Sequence, residues 1–132
     1  MIFEGSGVAL VTPFNEKNEI DYMMLKKLIE YQISNGTNAI VILGTTGESS
    51  TITVAEREKI IKFCVYIVNG LVPVIVGTGS NSTETAISLT MQAKRLGADG
   101  ALVVTPYYNK CNQTGLFEHY KKIALKTRFP II

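Results

Sequence analysis

Ala39-Ile40-Val41-Ile42-Leu43-Gly44-Thr45-Thr46-Gly47-Glu48-Ser49 is the stretch on which the fold of this chain turns. Five apolar residues, three of them β-branched, stop at Gly-Thr-Thr-Gly, which reads as a buried strand entering a tight turn rich in hydroxyls. In proteins built from parallel strands and covering helices, the carboxyl end of a strand is where ligands bind. Two hydroxyls and a Gly-flanked turn with unpaired N–H groups suit a small carboxylate.

The same unit recurs on both sides of that stretch. Gly7–Thr12 reads as a first strand, closed by Pro13. Asp21 then caps a helix with Leu25, Leu28, Ile29 and Ile33 on its apolar face, ended by Asn35-Gly36. After the strand Ala39–Leu43, Thr53 and Glu56 form a capping-box pair ahead of a helix that buries Ile60, Ile61, Cys64, Ile67 and Val68 and stops at Asn69-Gly70. Pro73–Val76 is a third strand, running into Gly77-Thr78-Gly79. Ser82 or Thr83 caps the next helix, with Ala86, Leu89, Ala93 and Leu96 inward and Gly97 at its end. Ala101–Val104 leads to Thr105-Pro106-Tyr107-Tyr108, and a helix from about Gly115 to Lys126 turns Leu116, Tyr120, Ile123 and Ala124 inward. Pro130-Ile131-Ile132 opens a fifth strand.

Apolar strands alternating with amphipathic helices specify an α/β protein with a parallel sheet. Two architectures accommodate four βα units and the start of a fifth strand. A five-stranded doubly wound sheet would be complete at this length. A (β/α)8 barrel needs about 250 residues, so residues 1–132 would form the N-terminal part of a single barrel domain. The first strand ends in Thr12-Pro13-Phe14, without the acidic pair or phosphate loop of the doubly wound folds, and the chain stops inside an apolar segment. Both points favour the barrel.

Composition excludes several functions. Thirteen basic and eleven acidic residues are scattered without blocks, so no basic stripe invites nucleic acid or an anionic membrane. No apolar run approaches the roughly 20 residues that span a bilayer. The start, Met1-Ile2-Phe3-Glu4-Gly5, lacks the pattern of a signal peptide, and the expectation is a cytoplasmic protein. Cys64 and Cys111 have no metal-ligand spacing and His119 is the single histidine, so no metal is expected and the cysteines read as free thiols.

Four strand-end motifs occur in order: Gly7-Val8-Ala9-Leu10-Val11-Thr12-Pro13-Phe14, Gly44-Thr45-Thr46-Gly47-Glu48-Ser49, Val76-Gly77-Thr78-Gly79 and Thr105-Pro106-Tyr107-Tyr108-Asn109-Lys110. Together they resemble the dihydrodipicolinate synthase family of pyruvate-dependent class I aldolases, which also contains N-acetylneuraminate lyase. The resemblance covers the whole chain but only about the first half of that family's (β/α)8 barrel. It implies a tetramer of tight dimers in lysine biosynthesis, condensing pyruvate with L-aspartate semialdehyde and using no cofactor. A lysine forms a Schiff base with pyruvate, and a threonine between two tyrosines relays protons. By this resemblance the relay threonine is Thr45, the tyrosine contributed across a dimer interface is Tyr108, and Thr46 holds the pyruvate carboxylate. The chemistry agrees: a threonine hydroxyl both donates and accepts, so it passes a proton without ionising.

Other residues near these motifs read as structural. Tyr107 is a packing aromatic at the barrel mouth or an interface, Glu48 a hydrogen-bonder of the turn, and His119 a solvated or interface side chain. An imine-forming lysine must be desolvated at a strand end. The ten lysines here fall on helices or in loops, and the family's lysine comes from the sixth strand, beyond residue 132, as do the second relay tyrosine and the arginine for the aldehyde substrate. The expectation is a chain that does not catalyse the reaction by itself.

Departures from the family pattern carry an expectation of their own. Cys111 replaces a proline common after Asn-Lys. Thr85 stands where lysine-inhibited members keep an acid, and Val54 and Arg57 replace polar or histidine residues near that effector pocket, which predicts insensitivity to lysine. A sialic acid or keto-deoxy-sugar aldolase is a weaker reading, since those often have Ser in place of Thr45. A non-catalytic half-barrel that pairs with itself is a third.

Overall fold

The computed structural model describes residues 2–132. Four strands, β1 (Gly7–Ala9), β2 (Ala39–Ile42), β3 (Val74–Gly77) and β4 (Gly100–Leu102), alternate with α1 (Tyr22–Ser34), α2 (Val54–Val68), α3 (Thr83–Arg95) and α4 (Gln113–Thr127). All strand pairs are parallel, and the order in the sheet is β1-β2-β3-β4. A further parallel bridge joins Ala101 to Ile131, so the next strand begins beside β4. A doubly wound sheet reverses its order at a switch point; this one never does. Sequential order is the winding of a barrel, and it removes the doubly wound alternative.

Each helix starts where its cap dictates. Asp21, Thr53, Ser82 and Asn112 accept from the backbone amides of Met24, Glu56, Thr85 and Gly115, and Thr53 with Glu56 closes a full capping box. The Asn112 cap places the start of α4 two residues ahead of the expected Gly115. β1 is shorter than the expected Gly7–Thr12, although the Leu10 amide still donates to Val41 O at 2.9 Å. β4 likewise ends at Leu102 rather than Val104.

The main core lies between the sheet and α1 and α2: Leu25, Ile29, Ile40, Ile42, Ile60, Ile61, Cys64, Val68 and Val76 are buried together. A second cluster, Ala86, Ala101, Val103 and Ile123, seats α3 and α4. Two expectations for α4 are corrected. Ala124 is exposed, and His119 is buried at 5 % exposure instead of solvated. Helical geometry explains both, because residues four apart share a face. The inward stripe runs His119, Ile123, Thr127, and Ala124 lies one step off it.

Candidate functional site

The carboxyl ends of β2, β3 and β4 converge on one cavity of about 500 Å³, lined by residues that include Leu43, Gly44, Thr45, Arg57, Gly77 and Tyr107. The turn after β2 is built by short-range bonds: the amides of Gly47 and Glu48 donate to Gly44 O and Thr45 O, both at 3.1 Å. Thr12, buried at the end of the first strand segment, donates its hydroxyl to Gly47 O at 2.7 Å and ties the turn to β1. Among the described residues, the amides of Thr45 and Thr46 donate to no acceptor, so two N–H groups of the turn remain available to an anion.

Among the described residues, three of the six non-glycine residues with positive φ lie at this end of the sheet. Leu43 (φ +55°) and Glu48 (φ +54°) bracket the turn in the left-handed region, and Tyr108 (φ +67°) adopts it in the loop after β4. Each costs a non-glycine residue roughly 1–2 kcal/mol, and such strain gathers at functional sites. The bend at Leu43 brings its carbonyl against Gly77. A Cβ there would overlap Leu43 O and Gly44 Cα, so glycine is required by close approach.

Thr45 lines the cavity, and Thr46 lies beside it, exposed on the turn. Tyr107 also lines the cavity and is half exposed. Tyr108 stands apart from it, 95 % exposed and projecting from the loop. The Glu48 side chain takes no hydrogen bond among the described residues, contrary to expectation. Its contribution is its carbonyl, which accepts from the amide and hydroxyl of Thr51, both at 2.9 Å.

Two residues that the sequence reading placed otherwise, Arg57 beside an effector pocket and His119 in solvent or at an interface, are buried. Arg57, on α2, is buried at 5 % exposure and donates through Nη2 to Gly77 O, while its Nε is buried with no acceptor. Burial pulls its pKa down to about 10. An arginine spaced between Thr53 and Ile60 could have been flagged as facing the apolar side of α2. His119 bonds through Nδ1 with Thr83 Oγ1 at 2.9 Å, with Nε2 buried and unpartnered, and burial lowers its pKa. It braces α4 against α3, away from the cavity lining.

All ten lysines are exposed, so none has the desolvated setting that imine chemistry requires. Cys64 is buried and its thiol is pushed up to about 12, and Cys111 is exposed. Among the described residues no group of three or more His, Cys, Asp and Glu could hold a metal ion, and no helix is long and apolar enough to cross a membrane.

The sequence model of the dihydrodipicolinate synthetase family matches residues 2–132. The 4-hydroxy-tetrahydrodipicolinate synthase of Alkaliphilus oremlandii (strain OhILAs) is 56% identical over 131 residues, covering 99% of this chain and 45% of that protein. The synthase of Aquifex aeolicus (strain VF5) is 55% identical over 131 residues, covering 99% of this chain and 44% of its own length. Among solved structures, dihydrodipicolinate synthase from Thermotoga maritima superposes with a TM-score of 0.97 at 51% identity, covering 99% of this chain and 44% of that one. A monomeric dihydrodipicolinate synthase variant superposes with a TM-score of 0.96 at 52% identity, covering 98% of this chain and 43% of that one. The chain thus spans under half the length of the relatives it matches.

Proposed function

Because this chain belongs to the dihydrodipicolinate synthetase family, we propose that it supplies the N-terminal part of a 4-hydroxy-tetrahydrodipicolinate synthase, a single (β/α)8 barrel domain of which residues 1–132 carry the first four βα units. The reaction is condensation of pyruvate, held as a lysine Schiff base, with L-aspartate semialdehyde in lysine biosynthesis. Thr46 and the free amides of the turn hold the pyruvate carboxylate, Thr45 relays a proton, and Tyr108 completes the relay in a neighbouring subunit. The observation that carries this reading is the strained turn after β2, where Thr45 faces the cavity and the amides of Thr45 and Thr46 lack acceptors. The high exposure of Tyr108 suits a side chain that works across a subunit interface, as in a tetramer of tight dimers. A cytoplasmic biosynthetic enzyme fits this chemistry.

The relatives found carry the synthase name, which favours it over the sialic acid and keto-deoxy-sugar aldolases. With every lysine exposed, the imine must form on a lysine outside these 132 residues. Borohydride reduction in the presence of pyruvate tests this. The chain alone should take up no pyruvate-derived mass, whereas a barrel completed with the C-terminal part of the Thermotoga maritima relative should take up one adduct, on the added segment. An adduct on any of the ten lysines present here would overturn the division of labour. Insensitivity to lysine belongs to the same reading: no carboxylate lines the cavity, and Arg57 places a fixed positive charge there. Inhibition of the completed barrel by lysine would refute that part.

A further inference from the structure

The loop that carries Tyr107 and Tyr108 is tied down at its root and nowhere else. The Val103 amide donates to Ile132 O at 2.9 Å. From Val104 to Cys111, no backbone group bonds to another element among the described residues. The one bond inside that stretch runs from the Asn109 amide to Tyr107 O at 2.9 Å, around the left-handed Tyr108. At the root, Tyr120 on α4 donates its hydroxyl to Val103 O at 2.9 Å. A carbonyl has two lone pairs, so this bond is compatible with further pairing of Val103 to the fifth strand. The Tyr120 ring is itself held: it packs on the cluster of Ala86, Ala101, Val103 and Ile123, and the His119 ring stands edge-on to it, centroids 5.4 Å apart. Burial raises the pKa of its phenol, so the hydroxyl keeps its proton and remains a donor. One residue further on, Val104 lies so near Gly79 that a Cβ on that glycine would overlap the Val104 amide nitrogen. Shape thus excludes displacement towards Gly79, and the Tyr120 bond supplies the directional restraint on the Val103 carbonyl.

We propose that Tyr120 is a positioning residue for the loop after β4: its hydroxyl fixes the Val103 carbonyl, and with it the direction in which Tyr107 and Tyr108 leave the sheet. The inference rests on the relay role given to Tyr108 under the proposed function. A relay end works only within hydrogen-bond reach of its partner, and a small misplacement there costs rate. Tyr108 lies five residues beyond Val103 and is 95 % exposed, so where its hydroxyl arrives depends on the angle set at the root.

The test uses the barrel completed with the C-terminal part of the Thermotoga maritima relative, and Tyr120→Phe, which keeps the ring and removes the hydroxyl alone. Hydrogen–deuterium exchange of the peptide spanning 103–112 should quicken, while that of the Gly44–Glu48 turn stays as in the parent. The kcat should fall about 3- to 10-fold, the rate equivalent of one neutral hydrogen bond. The KM for pyruvate should not change, because Tyr120 makes no bond to the turn that holds the carboxylate. A double-mutant cycle separates positioning from a general loss of stability. Tyr108→Phe removes the relay hydroxyl and should lower kcat about 10²-fold or more. Added to it, Tyr120→Phe should cost less than about 2-fold, since a relay already lost has no position to lose. Where Tyr108→Phe shows its loss, an unchanged kcat in Tyr120→Phe, or an equal loss from it in both backgrounds, overturns the proposal. Full kcat in Tyr108→Phe refutes the relay instead. The exchange rates then decide, quickened exchange in Tyr120→Phe supporting the tie at Val103 and unchanged exchange overturning it.

Discussion

Replacing Thr12 by valine removes one hydrogen bond and almost nothing else. Thr12 is buried, and its hydroxyl donates to Gly47 O at 2.7 Å, across 35 residues of sequence. Valine has nearly the same shape, so packing is retained while the Gly47 carbonyl is left buried without its donor. An unmade buried hydrogen bond of this kind costs about 1–3 kcal/mol. Serine at the same position keeps the hydroxyl and loses a methyl, about 0.8 kcal/mol by area. With a urea m-value of about 1.5 kcal/mol/M, Thr12→Val should lower the midpoint by about 1 M and Thr12→Ser by about half that. The variant should also loosen the turn, so the Gly47 and Glu48 amides, which are bonded within it, should exchange with solvent faster. Urea titration with amide exchange reads both effects. If Thr12→Ser were the more damaging substitution, the methyl and not the hydroxyl would be what anchors the turn, and the argument from Gly47 would fail.

Gly77→Ala drives a Cβ into the Leu43 carbonyl and should destabilise by about 1–3 kcal/mol, measured as a lowered urea midpoint; a neutral result would mean that the two backbones can separate. His119 gives a pH dependence. Burial lowers its folded pKa below the usual value of about 6.5, so the unfolded chain takes up its proton first. Stability should be flat above about pH 6.5 and fall as pH drops through the folded pKa, and His119→Gln should remove that slope while the carboxylates are still ionised. Thiol labelling should modify Cys111 promptly and Cys64 only on unfolding, because burial pushes the Cys64 thiol up to about 12; rapid labelling of both would contradict its placement in the core.

Local patterns were legible wherever the chemistry lies within a few residues. The Thr53–Glu56 box, the Asp21 and Ser82 caps and the apolar stripes of α1 and α2 can be read directly, because a cap bonds three residues ahead and a stripe repeats every three or four. The Gly44–Glu48 turn was legible for the same reason. Strand order was not, since periodicity says that strands are parallel but not which neighbours they take; the β1-β2-β3-β4 order settled that. The burial of Arg57 and His119 escaped because their partners, Gly77 and Thr83, lie 20 and 36 residues away. A charged or polar side chain on an amphipathic helix reads as solvated until the fold supplies a distant acceptor. The Glu48 side chain was misjudged in the opposite sense, the turn using its backbone and leaving the carboxylate in solvent.

The central claim is that the turn after β2 holds pyruvate and relays its proton through Thr45. Its most direct test is synthase activity, with pyruvate and L-aspartate semialdehyde, of a barrel in which this chain replaces the N-terminal part of the Thermotoga maritima relative. Removing a positioned proton relay should lower kcat about 10²- to 10⁴-fold, so Thr45→Val should fall in that range while Thr45→Ser, which keeps the hydroxyl, retains most of the rate. Borohydride trapping of pyruvate should persist in both, because the imine forms elsewhere. Full activity in Thr45→Val would contradict the account.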